Sequence, residues 1–331
     1  MRVREVRLKS RPVGMPAAGN FDVAEVDLPA PGEGQALVRN LWMSVDPYMR
    51  GRMIDRQSYV PPFAIGEALQ GGAVGEVVHS NDPKLQKGDL VESMFGWREG
   101  FVAPAATLTK LPAENVPPQA YLGVLGMPGL TAYAGLLEIG QPKAGETVFV
   151  SGGAGAVGSV VAQIAKIKGC RVVASVGSQA KADWLKAAGI DEVVNYKNGN
   201  LLQAVAAAAP KGIDVYFDNV GGDHLEVALE FANPFARFVE CGMISQYNNT
   251  EPAPGPRNLI YVVGKSIKIQ GFIVTQFQGL RQQFLSDMTQ WIKDGKLKWE
   301  ETVETGVDRA PAAFLNLFTG ANTGKMLVKL S

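Results

Sequence analysis

The sequence predicts an α/β chain of two domains, a β-rich barrel-like unit followed by a doubly wound parallel sheet. The 331 residues exceed the size at which a single core usually stops growing. Residues 1–118 hold short apolar runs, QALVRNLWMSV, GGAVGEVVHS and GDLVESMFGW, broken by Pro, Gly and Asp turn signals, which is a β-rich spacing. Residues 127–293 instead alternate strand-like and helix-like stretches, the rhythm of βαβ units with both sheet faces covered.

The amino terminus, MRVREVRLKSRP, alternates charged and aliphatic residues without the apolar core of a signal peptide, and reads as a first strand. The apolar stretch 121–140 is interrupted by Gly-Met-Pro-Gly and carries Glu138; it reads as a crossing between domains into a buried helix rather than a membrane span. Six strands are expected in the second domain, TVFVSG, RVVASVG, DEVVNY, IDVYFDNV, FARFVECG and IKIQGFIV. Helices VGSVVAQIAKIKG, AKADWLKAAG, LLQAVAAAA and DHLEVALEFA fall between them, and QGLRQQFLSDMTQWIKDG follows the last. The strand-like tail returns to the first domain, so the expected boundaries are 1–125 plus 299–331 for the first domain and 126–298 for the second.

Thirty-two basic residues balance 32 acidic ones, which argues against a partner recognised by bulk charge, such as nucleic acid or an anionic membrane. Two cysteines, Cys170 and Cys241, give neither a disulfide framework nor a metal pair, and a reducing cytoplasm is the simplest setting.

The most informative stretch is TVFVSGGAGAVGSVVAQIAK, where Gly153, Gly155 and Gly158 form a Gly-x-Gly-x-x-Gly between a β-branched strand and an amphipathic helix. Glycine spacing alone is weak, and a tight turn that merely needs small residues is the bland alternative. In this context Gly153, Ala154, Gly155, Ala156, Val157 and Gly158 form a cradle for a pyrophosphate resting on the helix amino terminus. About 20 residues further on, an NAD-selective site would carry Asp or Glu for the ribose 2′-hydroxyl. Here the strand ends in Gly177 and Ser178, with Lys181 close behind, so nothing repels a 2′-phosphate and NADPH is favoured over NADH. A solvated lysine in a first helical turn is the competing reading of Lys181.

The run of AGAVGSVVAQIAK, VGSQAKADWLKAAG, VVNYK, DNVGG, CGMISQYN and GANTGKMLVK, with SVDPYMRGRM ahead of it, resembles the medium-chain dehydrogenase/reductase superfamily over nearly the whole chain. It is most similar to the zinc-independent branch of leukotriene B4 12-hydroxydehydrogenase/prostaglandin reductase, plant alkenal double-bond reductases and bacterial curcumin reductase. The resemblance implies a GroES-like first domain and a Rossmann-type second domain. It also implies that Lys181 and Tyr196 hold the 2′-phosphate of NADP, and that Asn219, residues 241–247 with Cys241, Gly242, Ser245 and Tyr247, then Phe272, Ile273, Val274 and Asn322 line the rest of the dinucleotide. Taken singly, Tyr196 could be a strand-end tyrosine, Asn219 a turn-former and Asn322 a loop amide.

Zinc enzymes of the superfamily place a cysteine in the corner where this chain has Ser44 and Asp46, and His79 and His224 have no partner at ligand spacing. No metal is therefore expected, and conjugate reduction of an enal or enone fits better than alcohol oxidation. By resemblance, Tyr48 faces substrate, Tyr59 is a second donor or lid residue, and Tyr247 bonds the nicotinamide ribose, while Arg50 and Arg52 orient the turn through salt bridges. Tyr48 could instead be a packing tyrosine between domains. An apolar cleft is expected around residues 61–63 and 94–97. A quinone reductase and a non-catalytic NADPH-binding protein remain open alternatives. The family also implies a homodimer, formed by edge pairing near IKIQGFIV.

Overall fold

The computed structural model describes residues 1–112 and 116–330, so Ser331, the last residue of the expected first domain, lies outside the described part. Its first unit contains β1 (Arg2–Leu8), β2 (Phe21–Asp27), β3 (Gln35–Ser44), α1 (Met49–Arg52), β4 (Ala73–Ser80), β5 (Leu90–Ser93), β6 (Gly100–Pro104) and β7 (Thr109–Lys110). The second contains α2 (Met127–Ala134), β8 (Thr147–Val150), α3 (Gly158–Ile167), β9 (Arg171–Val176), α4 (Gln179–Ala187), β10 (Glu192–Asn195), α5 (Leu201–Ala208) and β11 (Ile213–Asp218). It continues through α6 (Asp223–Phe231), β12 (Ala232–Glu240), α7 (Ile260–Gly264), β13 (Lys268–Gly271) and α8 (Arg281–Lys293). The tail adds β14 (Glu301–Thr305), α9 (Ala310–Thr319) and β15 (Lys325–Lys329).

In the first unit β1 pairs with β2, while β14, β15, β3, β4, β5 and β7 follow one another in an antiparallel-type sheet with β6 also on β3. Its core gathers Met43, Val45, Met49, Met53, Trp97 and Phe314. The strand-like reading of the tail missed α9, whose buried Ala310, Ala313 and Phe314 recur at helical rather than alternating spacing.

The second unit has the strand order β10, β9, β8, β11, β12, β13, with every pairing parallel. Alternate residues serve opposite faces. Phe149, Tyr216 and Phe238 join Val205, Leu225 and Ala228 of α5 and α6, whereas Phe217 lies against Gly135, and Val215 and Val239 against Gly140. Covered faces explain why these strands read as continuous apolar runs. The order reverses between β8 and β11, and in such sheets that switch point is where ligands bind.

The units divide after Leu122 and after Glu300, and Thr323–Lys325 belong to the second unit. These borders differ slightly from those read in the sequence, for local reasons. Gly126 and Gly129 both donate to the Gly123 carbonyl, tying that turn to α2. Lys298 exchanges two 2.8 Å hydrogen bonds with the Gln163 side chain, and Gly324 donates to the Ala154 carbonyl at 2.8 Å.

Candidate active site

The turn between β8 and α3 is tighter than the motif alone required. Gly152, one residue before the motif, has φ +60°, a left-handed conformation that favours glycine. A Cβ on Gly158 would lie 2.3 Å from the Gly152 carbonyl oxygen, and one on Gly153 would lie 2.7 Å from the Ala174 Cβ. Gly155 closes the turn by donating to Gly152 at 3.0 Å, with Ala154 buried and Ala156 and Val157 half-buried. Any side chain at Gly153 or Gly158 would push the helix start off the strand, so the loop fits a pyrophosphate approached by bare backbone at a helix amino terminus.

At the ends of β9 and β10 a second cluster forms. Tyr196 donates its N–H to the Val176 carbonyl at 3.0 Å, and a Cβ on Gly177 would stand 2.8 Å from the Tyr196 hydroxyl. Ser178 caps α4 by accepting the Lys181 N–H at 3.4 Å, which sets Lys181 in the first turn. Burial, and then the neighbouring Lys197 ammonium, hold Lys181 below the ordinary lysine value. Burial likewise raises the Tyr196 phenol, whose ring meets His224 edge-on at 5.1 Å. Two ammonium groups and a phenol around a glycine suit a phosphate, whose negative charge would relieve their mutual repulsion. Sequence reasoning missed Lys197 although it ends the VVNYK motif; it lies just past β10, where strand alternation no longer says which way a side chain points.

The ends of β11 and β12 supply the third group. The Asn219 N–H donates to Ser151 Oγ and its Nδ2 to the Ser151 carbonyl, both at 2.8 Å, so its amide links the two strands at the switch point. Cys241 and Gly242 donate their N–H groups to the Asp218 carbonyl at 3.0 Å. Burial, then Asp218 and Glu240, push the Cys241 thiol up to about 12, which makes it a neutral thiol rather than a nucleophile. Ser245 gives its hydroxyl to the Val220 carbonyl at 2.6 Å and thereby joins the two loops. Tyr247 accepts the Met243 N–H at 3.2 Å, and a Cβ on Gly242 would come within 2.9 Å of its hydroxyl. Beyond β13 the expected strand through Val274 stops at Gly271; Val274–Leu280 instead forms a 3-10 helix. Phe272 sits edge-on to Phe217 at 6.5 Å, with Ile273 and Val274 half-buried.

In the first unit, residues 43–53 are not a surface turn: Met43, Val45, Asp46, Met49, Arg50, Arg52 and Met53 are buried. Ser44 Oγ donates to Asp46 Oδ2. Arg50 donates to the Gly14 carbonyl at 2.8 Å. Arg52 reaches the Pro61 carbonyl and Gln70 Oε1, each at 2.9 Å, with its guanidinium 4.0 Å from the Phe63 ring centroid. The salt bridges expected for Arg52 are thus replaced by neutral acceptors and an aromatic face. The Tyr48 phenol is pushed above its ordinary value by burial first and then by Asp46, while a hydrogen bond with Arg52 opposes the shift. Tyr59 is 61% exposed, unlike Tyr48. The apolar residues divide similarly, Phe63 and Trp97 being buried and Met94 exposed. Asn322 is half-buried at the end of the stretch counted with this unit.

His79 closes β4 beside Asn81 Oδ1 at 3.0 Å, and His224 lies buried in the first turn of α6. Among the described residues no group of three His, Cys, Asp or Glu could hold a metal ion, and no helix is long and apolar enough to cross a membrane.

A doubly wound sheet with a glycine cradle at its switch point and a basic cluster at the next strand end is the arrangement of a dinucleotide-binding protein. Residues 4–111 match the family described as N-terminal domain of oxidoreductase, and residues 156–294 the family described as zinc-binding dehydrogenase. The chain is 44% identical to the NADPH-dependent curcumin reductase of Escherichia coli, over 98% of this chain and 96% of the relative. It is also 44% identical to the NADP(+)-dependent 2-alkenal reductase of Nicotiana tabacum, over 99% and 97%. The crystal structure of CurA from Vibrio vulnificus in complex with NADPH superposes with a TM-score of 0.95 at 41% identity, covering 99% of both chains. The chain belongs to the medium-chain dehydrogenase/reductase family, in the branch of the prostaglandin, alkenal and curcumin reductases.

Proposed function

We propose that this protein is an NADPH-dependent reductase of the carbon-carbon double bond of α,β-unsaturated aldehydes and ketones. The observation that carries the reading is the strand-end pocket of Gly177, Lys181, Tyr196 and Lys197, in which two cations take the place of the carboxylate an NAD-selective site would use. Full-length relatives named for curcumin and 2-alkenal reduction support the substrate class.

In this reading the glycine loop holds the pyrophosphate, and the lysine pair with Tyr196 holds the 2′-phosphate. Asn219, residues 241–247, residues 272–274 and Asn322 line the remainder. Bound NADPH would supply the hydride taken by the β-carbon, and the α-carbon then takes a proton as the charge on oxygen collapses. The protein positions the acceptor and stabilises the negative charge that develops on its carbonyl oxygen. Tyr48 fits that role because a phenol donates a hydrogen bond while remaining neutral, and Tyr247 would bond the nicotinamide ribose hydroxyl that polarises the carbonyl. Met243 orients the Tyr247 oxygen, and Arg52 orients that of Tyr48. Tyr59 is the second donor from the exposed loop.

The test is a steady-state panel of alkenals, cyclic enones, curcumin-like dienones and quinones with NADPH, followed as loss of the reduced-nicotinamide absorbance. Enals and enones are expected to turn over fastest. Preference for quinones would overturn the substrate class, and tight NADPH binding without oxidation by any acceptor would overturn catalysis.

The reading includes a homodimer and a reducing cytoplasm. Strand β13 is an edge, and Ile260, Val263 and Ile269 nearby are exposed apolar side chains, a surface suited to a second copy. Light scattering that gave a monomer mass would refute the dimer. Both cysteines are free thiols, as a reducing compartment allows.

A further inference from the structure

Directly beneath the loops after β11 and β12, two carboxyl groups lie side by side. Asp218 and Glu240 are register partners on these adjacent parallel strands. Asp218 is fully buried, and its Oδ1 accepts three hydrogen bonds at 2.8 Å, from Ser151 Oγ and from the N–H groups of Val220 and Gly221. Its Oδ2 and both oxygens of Glu240 are buried and accept no well-aligned hydrogen bond, although the buried Tyr216 phenol interacts with Asp218. Three donors on one carboxyl favour its charged form. A second carboxyl beside it, shielded from water and without well-aligned donors, resists ionising while the first is charged.

We propose that Glu240 is a positioning residue: it is held as the carboxylic acid and donates its proton to Asp218 Oδ2, clipping together the strand ends that carry the two nucleotide-binding loops. The proton occupies the otherwise unsatisfied acceptor of Asp218 and removes the repulsion between the two groups. Asp218 in turn holds residues 219–221 through its donors and, through its backbone carbonyl, the N–H groups of Cys241 and Gly242. The pair therefore sets the spacing between Asn219 and Tyr247, which both belong to the proposed NADPH site.

The surrounding groups agree with this assignment. Burial first, and then Asp218, push Glu240 up to about 8, and Asp218 is the charged group that acts on it. Tyr216 on β11, whose phenol is a second donor toward Asp218, and Cys241 are both raised by burial first and then by the two carboxyls, so they stay protonated. His224 of α6 also faces Asp218, but burial lowers it and keeps it neutral.

The folded protein therefore binds one more proton at Glu240 than the unfolded chain does between the ordinary glutamate value and about 8. The stabilisation is complete below that range and is lost as pH rises through it. Glu240→Gln keeps a donor for Asp218 and cannot ionise. Thermal melts without nucleotide at about pH 5.5 and about pH 9 are expected to show a gap between Glu240→Gln and wild type that widens in the variant's favour at the upper pH. A variant that melts lower by the same amount at both values would overturn the proposal, because lost packing is indifferent to pH.

The effect on cofactor rests on the NADPH reading and is measured separately, by fluorescence titration at the same two pH values. Wild type is expected to weaken on the order of 10-fold more than Glu240→Gln as pH rises. Both proteins share Lys181, so its titration cancels in the comparison. Glu240→Val, which removes charge and donor together, should bind NADPH weakly at both pH values. Equal affinity of Val and Gln would show that the clip has no role in positioning. Melts that behave as expected with no NADPH binding by any of the three proteins would refute the nucleotide reading and leave the shared proton intact.

Discussion

In the second unit the candidate ligands follow the ends of parallel strands, whereas in the first unit Tyr48 and Tyr59 sit on a short turn and an exposed loop between β3 and β4. The strand-end groups are fixed by backbone. Gly153, Gly158 and Gly177 leave no room for a Cβ, and Asn219, Ser178 and Tyr247 each hydrogen-bond to main chain or serve as a cap. The phenol segment is fixed by side chains instead, with Arg52 spanning Pro61, Gln70, Phe63 and Tyr48. The strand-end groups are thus held by main chain and the phenol segment by side-chain packing.

The sharpest way to break this comparison is at the strand-end groups. Lys181→Asp places a carboxylate where a 2′-phosphate would lie, removing a charge-assisted contact and adding repulsion. The ratio of kcat/KM for NADPH over NADH should fall on the order of 100-fold, with NADH little affected. An unchanged ratio would remove Lys181 from the cofactor site.

Next in size come the phenols. Tyr247→Phe should lower kcat with an enone on the order of 10- to 100-fold while NADPH affinity changes far less. The reverse ordering would make Tyr247 a cofactor anchor only. Tyr48→Phe should act on kcat in the same direction. An unchanged turnover number would return Tyr48 to a packing role.

How far the site was legible in the sequence follows the same division. The glycine loop was legible because tight turns demand glycine, and the doubly wound order because covered strands are continuously apolar. Tyr48, Tyr59 and Tyr247 could be picked out only through motifs, since nothing in local pattern distinguishes a phenol in a site from one in a core. Arg52 was read as a salt-bridge former because its acceptors, Pro61 and Gln70, are 9 and 18 residues away and neutral. Glu240 was invisible for a related reason: in FARFVECG it looks like an ordinary polar strand end, and only the register with Asp218 sets two carboxyls together. The helix α9 was lost to a tail too short for its period to stand out.

The smallest expected effect tests the lysine pair itself. Lys197 raises the cost of charging Lys181, and in the proposed site the two would share a phosphate between the ends of β9 and β10. Lys197→Met should therefore raise KM for NADPH only on the order of 3- to 10-fold and leave NADH unchanged. Its more telling consequence is the pH profile. In that site Lys181 would hold a phosphate only while protonated, and its ammonium is depressed by burial and then by Lys197, so wild-type NADPH affinity should fail at a lower pH than an ordinary lysine would allow. Removing Lys197 lifts that depression and moves the alkaline limb of NADPH affinity upward. A limb that stayed in place, or moved down, would mean that the two ammonium groups do not share a ligand, and Lys197 would revert to a solvated residue beside the pocket.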